Sequence, residues 1–276
     1  MFNLFSKNRL SALVALLSLS TANSSLMAWE YDYNRTYVGV YGGGIYSNSS
    51  KMNQMGTAFF TEAQGGPLAV NARGDTSSTS SGFGGLQMGY EWSQYPMYIG
   101  YSDWSIAPSL EVEGYWYSLK KEGHLFNETD RLEEHDFLDT FHMNAGVYLA
   151  NAVFSLDNPS FGALSPYVGL GLGATRIYIR NATSTQVEPP EVGVNHFSAK
   201  TSDSSWAFAA QVKTGLRFQV CESLHVFGEY RYLFVDSSNY IFGSTVFPGH
   251  AATSPWNVKV KSIHYNAFAF GIQYDL

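Results

Sequence analysis

The sequence is short of cysteine and of charge. Its 276 residues include one cysteine, and only 14% of them are charged. A single cysteine, Cys221, excludes an internal disulfide framework. Sixteen basic residues against 23 acidic ones give no support for nucleic-acid binding, which depends on basic patches. After residue 28, the sequence also lacks any apolar run near the roughly 20 residues that a membrane-spanning helix needs.

Aromatic residues and glycine are plentiful instead. The chain has 19 tyrosines, 19 phenylalanines and 26 glycines. Tyrosine, phenylalanine and tryptophan fit the pleated surface of a strand, and tyrosine and tryptophan also concentrate at the two edges of a bilayer. The composition therefore predicts a β-rich chain.

The first residues are typical of an export signal. Lys7 and Arg9 precede an apolar stretch over 10–19, which small and polar residues follow. We expect a signal peptide over 1–28, cleaved after Ala28 or after Ala22, and a mature domain over 29–276. The alternative is an uncleaved membrane anchor, although the apolar stretch is well below the roughly 20 residues that spanning requires.

Large apolar residues that alternate with small or polar residues, at a period of two, predict the strands. In 263–276, large apolar residues share one parity, and small or polar residues share the other. The same pattern predicts eight strands in all, over 36–47, 82–92, 106–119, 137–154, 166–180, 204–220, 224–236 and 261–276. A soluble sandwich would also alternate, but glycines and charges on the second face favour the narrow lumen of a membrane barrel.

The lengths of the connections alternate as well. Long polar segments follow the first, third, fifth and seventh predicted strands, over 48–81, 120–136, 181–203 and 237–260. This predicts an all-β, antiparallel, up-and-down transmembrane β-barrel with eight strands, long extracellular loops and periplasmic termini. We expect Ser- and Thr-rich stretches such as 75–81 to be mobile, because they cannot bury enough surface to offset the cost of ordering. A barrel of ten strands, with an extra strand over 98–104, is the alternative.

Two sets of residues resemble known outer-membrane proteins. The segments 37–44, 166–174, 227–232 and 270–274 resemble strands of the OmpA-like barrels and of the opacity (Msp4-type) surface antigens. The resemblance implies an eight-stranded barrel with variable surface loops, in a family whose members serve as surface antigens, adhesins or small pores. Large residues counted back by twos from the chain end resemble the signal read by the barrel-assembly machinery, with leucine in place of the usual final Phe or Trp. These residues are Phe268, Phe270, Ile272, Tyr274 and Leu276.

Six charged residues occupy strand positions whose side chains point into the predicted lumen. They are Glu111, Glu113, Lys213, Arg217, Glu229 and Arg231. Side chains largely fill the interior of an eight-stranded barrel, and charges confined there must pair, because burying an unpaired charge is costly. These residues therefore predict either a structural ion-pair network that plugs the barrel or a gated channel for small solutes.

Other motifs predict little chemistry. The acidic run 133–136 (Glu-Glu-His-Asp) has metal-ligand types, but such runs are usually solvated loop residues. The glycines at 169, 171 and 173 lie inside a predicted strand, whereas a dinucleotide-binding loop opens a helix. We therefore expect no cofactor and no metal.

These patterns predict a non-enzymatic surface protein of the bacterial outer membrane, which acts through its loops in surface interaction, as an antigen or adhesin, and stabilises the envelope. Its partners would be outer-membrane lipid, lipopolysaccharide and host or environmental ligands bound by the loops. A small-solute porin is the alternative. A lipid A- or phospholipid-modifying enzyme is less favoured, since the seven histidines are scattered without a Ser or Asp motif. The oligomeric state is left open.

Overall fold

The computed structural model describes residues 34–127 and 135–276. The expected signal peptide over 1–28 lies outside the described residues, as do Glu133 and Glu134 of the acidic run. In the ranges that are described, no helix is long and apolar enough to cross a membrane.

Strands make up most of the described chain. In chain order, they are β1 (Arg35–Ser47), β2 (Lys51–Phe59), β3 (Leu68–Thr76), β4 (Thr79–Glu91), β5 (Met97–Tyr98), β6 (Ser105–Phe126), β7 (Asp136–Asp157), β8 (Leu164–Glu188), β9 (Asp203–Cys221), β10 (Leu224–Val235), β11 (Ser238–Phe242), β12 (Ala252–Thr253), β13 (Trp256–Val260) and β14 (Ile263–Asp275). Two single-turn 3₁₀ helices, Glu62–Gln64 and Pro159–Phe161, lie in connections.

Eight of these strands close into a ring. β1, β4, β6, β7, β8, β9, β10 and β14 pair antiparallel in that order, and β14 pairs again with β1. The predicted eight-stranded barrel is confirmed. The ten-stranded alternative is wrong, because β5 is a two-residue strand that pairs only with the start of β6.

The two ends of the ring differ. β1 begins and β14 finishes at one end, which we call the terminal end, and we call the opposite end the distal end. Two connections at the terminal end are short, over 158–163 and 222–223, and the third, over 92–104, contains β5. The distal connections over 48–78 and 236–262 are long and contain strands of their own.

The two faces of the ring have opposite polarity. The inward face carries charged, aromatic and glycine residues, whereas large apolar side chains are exposed on the outward face. The outward apolar residues of the ring include Val40, Leu86, Leu110, Val112, Val168, Leu170, Leu172, Val212, Leu216, Phe218, Val220, Val226, Phe268, Phe270 and Ile272. Because successive side chains of a strand point to opposite faces, the period-two pattern of the sequence creates this division.

Aromatic residues stand at two levels of the outer wall. Near the terminal end, the rings of Tyr90 and Trp92 lie 5.2 Å apart. Farther along the strands, Trp116, Tyr148 and Trp206 form a second row, with successive ring centroids 6.3 and 6.2 Å apart. We call this second group the distal aromatic row.

The long distal connections contain strands that the sequence pattern did not predict. β2 and β3 occupy the predicted loop 48–81, and β11, β12 and β13 occupy the predicted loop 237–260. The Ser- and Thr-rich stretch 75–81 is largely paired, with Thr76 opposite Gly123 and 79–81 opposite 45–47. Neighbouring extended strands supply hydrogen-bond partners for the backbone of this stretch, and these bonds do not depend on its side chains. A polar composition therefore does not prevent strand formation.

The distal connections close into a wall of their own. β11 pairs with β13, β13 with β2, β2 with β3, and β3 with the distal part of β6. The segment 195–203 closes the gap between β8 and β11, since Ala182 N donates to Thr201 O and Gly243 N donates to Lys200 O, each at 2.8 Å. We call this structure beyond the distal aromatic row the distal cap.

An aromatic core fills the distal cap. Phe197 and Phe242 stack with ring centroids 4.5 Å apart, and Phe141 stacks on both at 6.4 and 5.9 Å. Trp256 is buried beside Phe137, with 6.3 Å between the rings. The distal cap is therefore a packed unit with a hydrophobic core, which explains why its strands are ordered.

Inward glycines make room for large rings inside the narrow barrel. A Cβ placed on Gly85 would stand 2.6 Å from the ring of Tyr41 and 2.6 Å from Cβ of Tyr115. On the outward Gly84, the nearest heavy atom to such a Cβ is Tyr41 O at 3.7 Å, an ordinary contact.

We expect Gly85→Val to destabilise the barrel by about 1–3 kcal/mol or more, because the added atoms overlap two packed tyrosines. Urea unfolding in detergent micelles, followed by tryptophan fluorescence, measures the change. Gly84→Val is the matched control, with the same substitution one residue away on the open face. Equal losses for the two variants would contradict this packing account.

Candidate functional site: the charged interior and the distal cavity

Charged side chains from three strands, β6, β9 and β10, meet in the middle of the barrel. The Lys213 ammonium pairs with Glu111, and Arg231 pairs with Glu113 at 2.7 Å and, through Nε, with Glu229 at 2.6 Å. All five side chains are almost completely buried. We call this group the central charge layer, and it contains five of the six predicted lumen charges.

Neutral groups complete the central charge layer. Asn151 Nδ2 donates to Glu111 at 2.9 Å and to Glu113 at 3.0 Å. The hydroxyl groups of Tyr37, Tyr41 and Tyr167 donate to Glu111, Glu113 and Glu229 at 3.0, 2.8 and 2.8 Å. The Arg231 guanidinium lies 4.1 Å from the centroid of the Tyr41 ring, a cation–π distance. These contacts offset the cost of burying the charges.

The sixth predicted charge belongs to a second layer nearer the terminal end. Arg217 donates to Glu91 at 2.9 Å, and Arg35 pairs with the same carboxylate at 2.6 Å. Arg35 also pairs with Asp275 at 3.1 Å, and His225 Nε2 lies 3.0 Å from that carboxylate. Arg35, Glu91 and Asp275 were not among the predicted lumen charges. Glu91 and Asp275 lie inside the predicted strands 82–92 and 261–276 and have the inward parity there, so the strand pattern already places both in the lumen.

The five predicted C-terminal residues lie on the outer wall. Phe268, Phe270, Ile272 and Tyr274 are outward residues of β14, and Leu276 follows that strand with its backbone nitrogen donating to Thr36 O at 2.9 Å. Their side chains therefore form one continuous apolar strip beside the closure of β14 on β1.

A cavity of about 370 Å³ lies in the distal cap. Its walls come from β2, β3, the start of β7 and the distal connections, and include Phe59, Phe60, Trp256 and His135. Its polar lining includes Glu191 and His196 from the connection between β8 and β9 and His250 from the connection between β11 and β12.

These three side chains converge. Oε2 of Glu191 lies 3.5 Å from Nε2 of His196 and 3.5 Å from Nε2 of His250. Burial lowers the pKa of His196 below its ordinary value, which favours the neutral imidazole. We call this group the Glu191–His cluster. No sequence pattern predicts this cluster, because its members are far apart in the chain and no local spacing links them.

A second buried polar group lies beneath the cavity in the distal cap. Asp139, in the part of β7 beyond the distal aromatic row, is completely buried. With its amide nitrogen facing this carboxyl group, Gln54 donates to it at 2.7 Å and accepts from Ser184 Oγ at 3.2 Å. Burial among these neutral groups raises the pKa of Asp139 to about 8, so it is mostly protonated at neutral pH.

No protein-family model matches the chain. It is 30% identical over 95 residues to uncharacterised proteins of Brucella abortus, Brucella suis and Brucella melitensis. The matched region is 34% of this chain and 32% of each relative, so the chain spans about a third of the length of these curated proteins.

Three solved structures align over most of the chain. Neisserial surface protein A is 15% identical, with 87% of this chain and 96% of that chain covered and a TM-score of 0.34. The outer membrane protein OprG of Pseudomonas aeruginosa is 10% identical, with 87% and 96% covered and a TM-score of 0.36. The attachment invasion locus protein of Yersinia pestis, solved with a heparin analogue, is 13% identical, with 88% and 99% covered and a TM-score of 0.30.

We expect Arg231→Met to destabilise the barrel by about 3–5 kcal/mol, because it leaves Glu113 and Glu229 buried without their cation. Adding Glu113→Gln and Glu229→Gln removes those charges and should restore much of the loss. Urea unfolding in micelles measures both changes. Lys120→Met is the control, since it breaks an exposed pair with Glu122 and should cost less than about 1 kcal/mol. A triple variant as unstable as the single one would contradict the pairing account.

We expect Asp139→Asn to remove a pH dependence of stability. Below pH 3.8 both folded and unfolded chains hold the proton, whereas between pH 3.8 and about 8 only the folded chain does. The stability of the unsubstituted protein should therefore fall by about 5 kcal/mol across this window, and that of the variant should not. Urea midpoints at pH 4, 6 and 8 test this, with the exposed Asp75→Asn as control. Parallel pH profiles for Asp139→Asn and the unsubstituted protein would refute it.

Proposed function

We propose that the protein is a non-enzymatic barrel of the bacterial outer membrane that binds ligands at the cell surface through its distal cap. The observation that carries this proposal is the inverted polarity of the ring, which is apolar outside and charged inside. Exposed to water, such an outer wall would be an apolar patch far larger than the few hundred Å² usual for soluble monomers. The hydrocarbon interior of a lipid bilayer is an environment in which this apolar outer wall is stable.

Two further features support the membrane location. The closed ring pairs the backbone groups of all its strands, as is required where no water is available to do so. The aromatic residues at two levels fit the two interfaces of a bilayer, with apolar side chains between them. Within this proposal, the terminal end of the ring, where β1 begins and β14 finishes, faces the periplasm. The distal cap faces the outside of the cell.

Outward arginines near the distal aromatic row support lipopolysaccharide as a partner. The Arg176 guanidinium lies 5.8 Å from the centroid of the Trp206 ring, and the Arg180 guanidinium lies 4.9 Å from that of Tyr178. Guanidinium groups bind phosphate oxygens well, and aromatic rings hold them at the interface. The apolar strip of β14 supports a role for the C-terminal strand in recognition by the barrel-assembly machinery.

The interior favours a closed barrel over a pore. The central charge layer, the layer at the terminal end and the aromatic core of the distal cap lie one after another along the barrel. Opening a path would require buried ion pairs to separate, and each unpaired charge would be costly. Binding at the distal cap, which contains a cavity, therefore accounts for more of the structure than conduction does.

Labelling of intact cells with a membrane-impermeant maleimide tests location and orientation together. Cys221, exposed at the terminal end of β9, should react only after the outer membrane is permeabilised. In a Cys221→Ser background, Val192→Cys should react on intact cells, because Val192 is 91% exposed in the distal cap.

Each labelling result bears on a different part of the proposal. Labelling of Cys221 on intact cells would overturn the orientation. Protection of Val192→Cys on intact cells, together with reaction after permeabilisation, would overturn the surface location. The Cys221→Ser protein without a new cysteine provides the background signal.

A further inference from the structure

We propose that Glu191, His196 and His250 form a binding site for a divalent transition metal of the zinc class, with one coordination position open to the distal cavity. This site goes beyond the proposed surface function and does not depend on the membrane location.

The hydrogen bonds of the two imidazole rings fix where their protons lie. His196 Nδ1 is 3.0 Å from Ser184 O, and His250 Nδ1 is 2.6 Å from Ala251 O. A carbonyl oxygen can only accept, so each Nδ1 must carry the hydrogen. In the neutral ring, each Nε2 is then a lone-pair acceptor.

Three acceptors therefore face one another. The two Nε2 atoms point at Glu191 Oε2, which is shielded from solvent and accepts no hydrogen bond from the described residues. The separations of 3.5 Å are too long for good hydrogen bonds to a carboxylate, even from protonated rings. A shared cation would turn this repulsive arrangement into an attractive one.

The spacing suits a tetrahedral metal. Ligands bound to zinc at about 2.0–2.1 Å in tetrahedral geometry stand roughly 3.3 Å from one another. The two nitrogen–oxygen distances are 3.5 Å, and all three ligand atoms lie within 4.8 Å of one another. His250 lies on a surface connection, and a small inward movement of its ring would bring all three ligand atoms to tetrahedral spacing.

The surroundings hold the ligands in place. Metal-binding histidines usually donate their second ring N–H to a carbonyl or carboxylate group, which orients the ring. Both rings make that contact here. His196 is also packed against Phe137 at 5.1 Å and Trp256 at 5.8 Å between ring centroids, so its orientation is set before any metal arrives.

The donor set selects the class of metal. Imidazole nitrogens with one carboxylate suit zinc, copper and nickel, whereas magnesium and calcium prefer oxygen ligands. Three protein ligands leave a fourth tetrahedral position. All three ligands line the cavity of about 370 Å³, so this position is accessible to water or to a donor group of a small ligand.

Isothermal titration with Zn²⁺ tests the site. The full barrel chain, without a polyhistidine tag and stripped by chelator in detergent micelles, should bind one equivalent of Zn²⁺ and no Mg²⁺. Glu191→Gln and His250→Asn should each weaken binding by more than the about 10–100-fold that loss of a second-shell partner costs. Co²⁺ should give the intense visible absorption of a tetrahedral site in the unsubstituted protein and in neither of these two variants.

His124→Asn is the matched control, because His124 is exposed on β6 outside the Glu191–His cluster. It should bind Zn²⁺ like the unsubstituted protein. Heat-modifiable migration in SDS gels shows that each variant keeps its barrel. Failure of the folded, unsubstituted protein to bind Zn²⁺ would overturn the proposal, as would undiminished binding by both Glu191→Gln and His250→Asn.

Discussion

Closure of the backbone hydrogen-bonded ring is the constraint on which the rest of the structure depends. Once β14 pairs with both β10 and β1, every strand has two neighbours and the side chains must divide between an enclosed and an open face. With only eight strands, the enclosed face is narrow. Glycines beneath tyrosine rings, as at Gly85, and ion pairs that satisfy each inward charge both follow from that lack of space.

The interior charges are better understood as layers than as separate pairs. Glu113 accepts from Arg231, Tyr41, Asn151 and Gln211, so that four strands besides its own meet at one carboxylate. Such a layer ties opposite walls together across the barrel, and its members depend on one another. The distal cap uses a different device, an aromatic core, and this leaves its few polar groups free to cluster at a cavity.

The ring could be predicted from the sequence because period-two alternation is local. All eight strands and the inward parity of Glu111 and Lys213 were readable from neighbouring residues. The distal cap was not, since β2 and β13 are short, polar on one side and paired with strands far away in sequence. The Glu191–His cluster was hidden for the same reason. Its carboxylate and imidazoles are brought together by tertiary packing of two connections, with no motif to mark them.

The bridging of β8 to β11 by the segment 195–203 also limits how the surface of this protein can evolve. Because the distal connections share one hydrophobic core, a change of length in one of them alters the packing of the others. Insertions are tolerated best at exposed tips whose backbone makes few such contacts. Around Gly249, which is exposed and at positive φ in a turn, the chain has such a tip. Variation in sequence should therefore concentrate there, while Phe197 and Phe242 stay fixed beneath it.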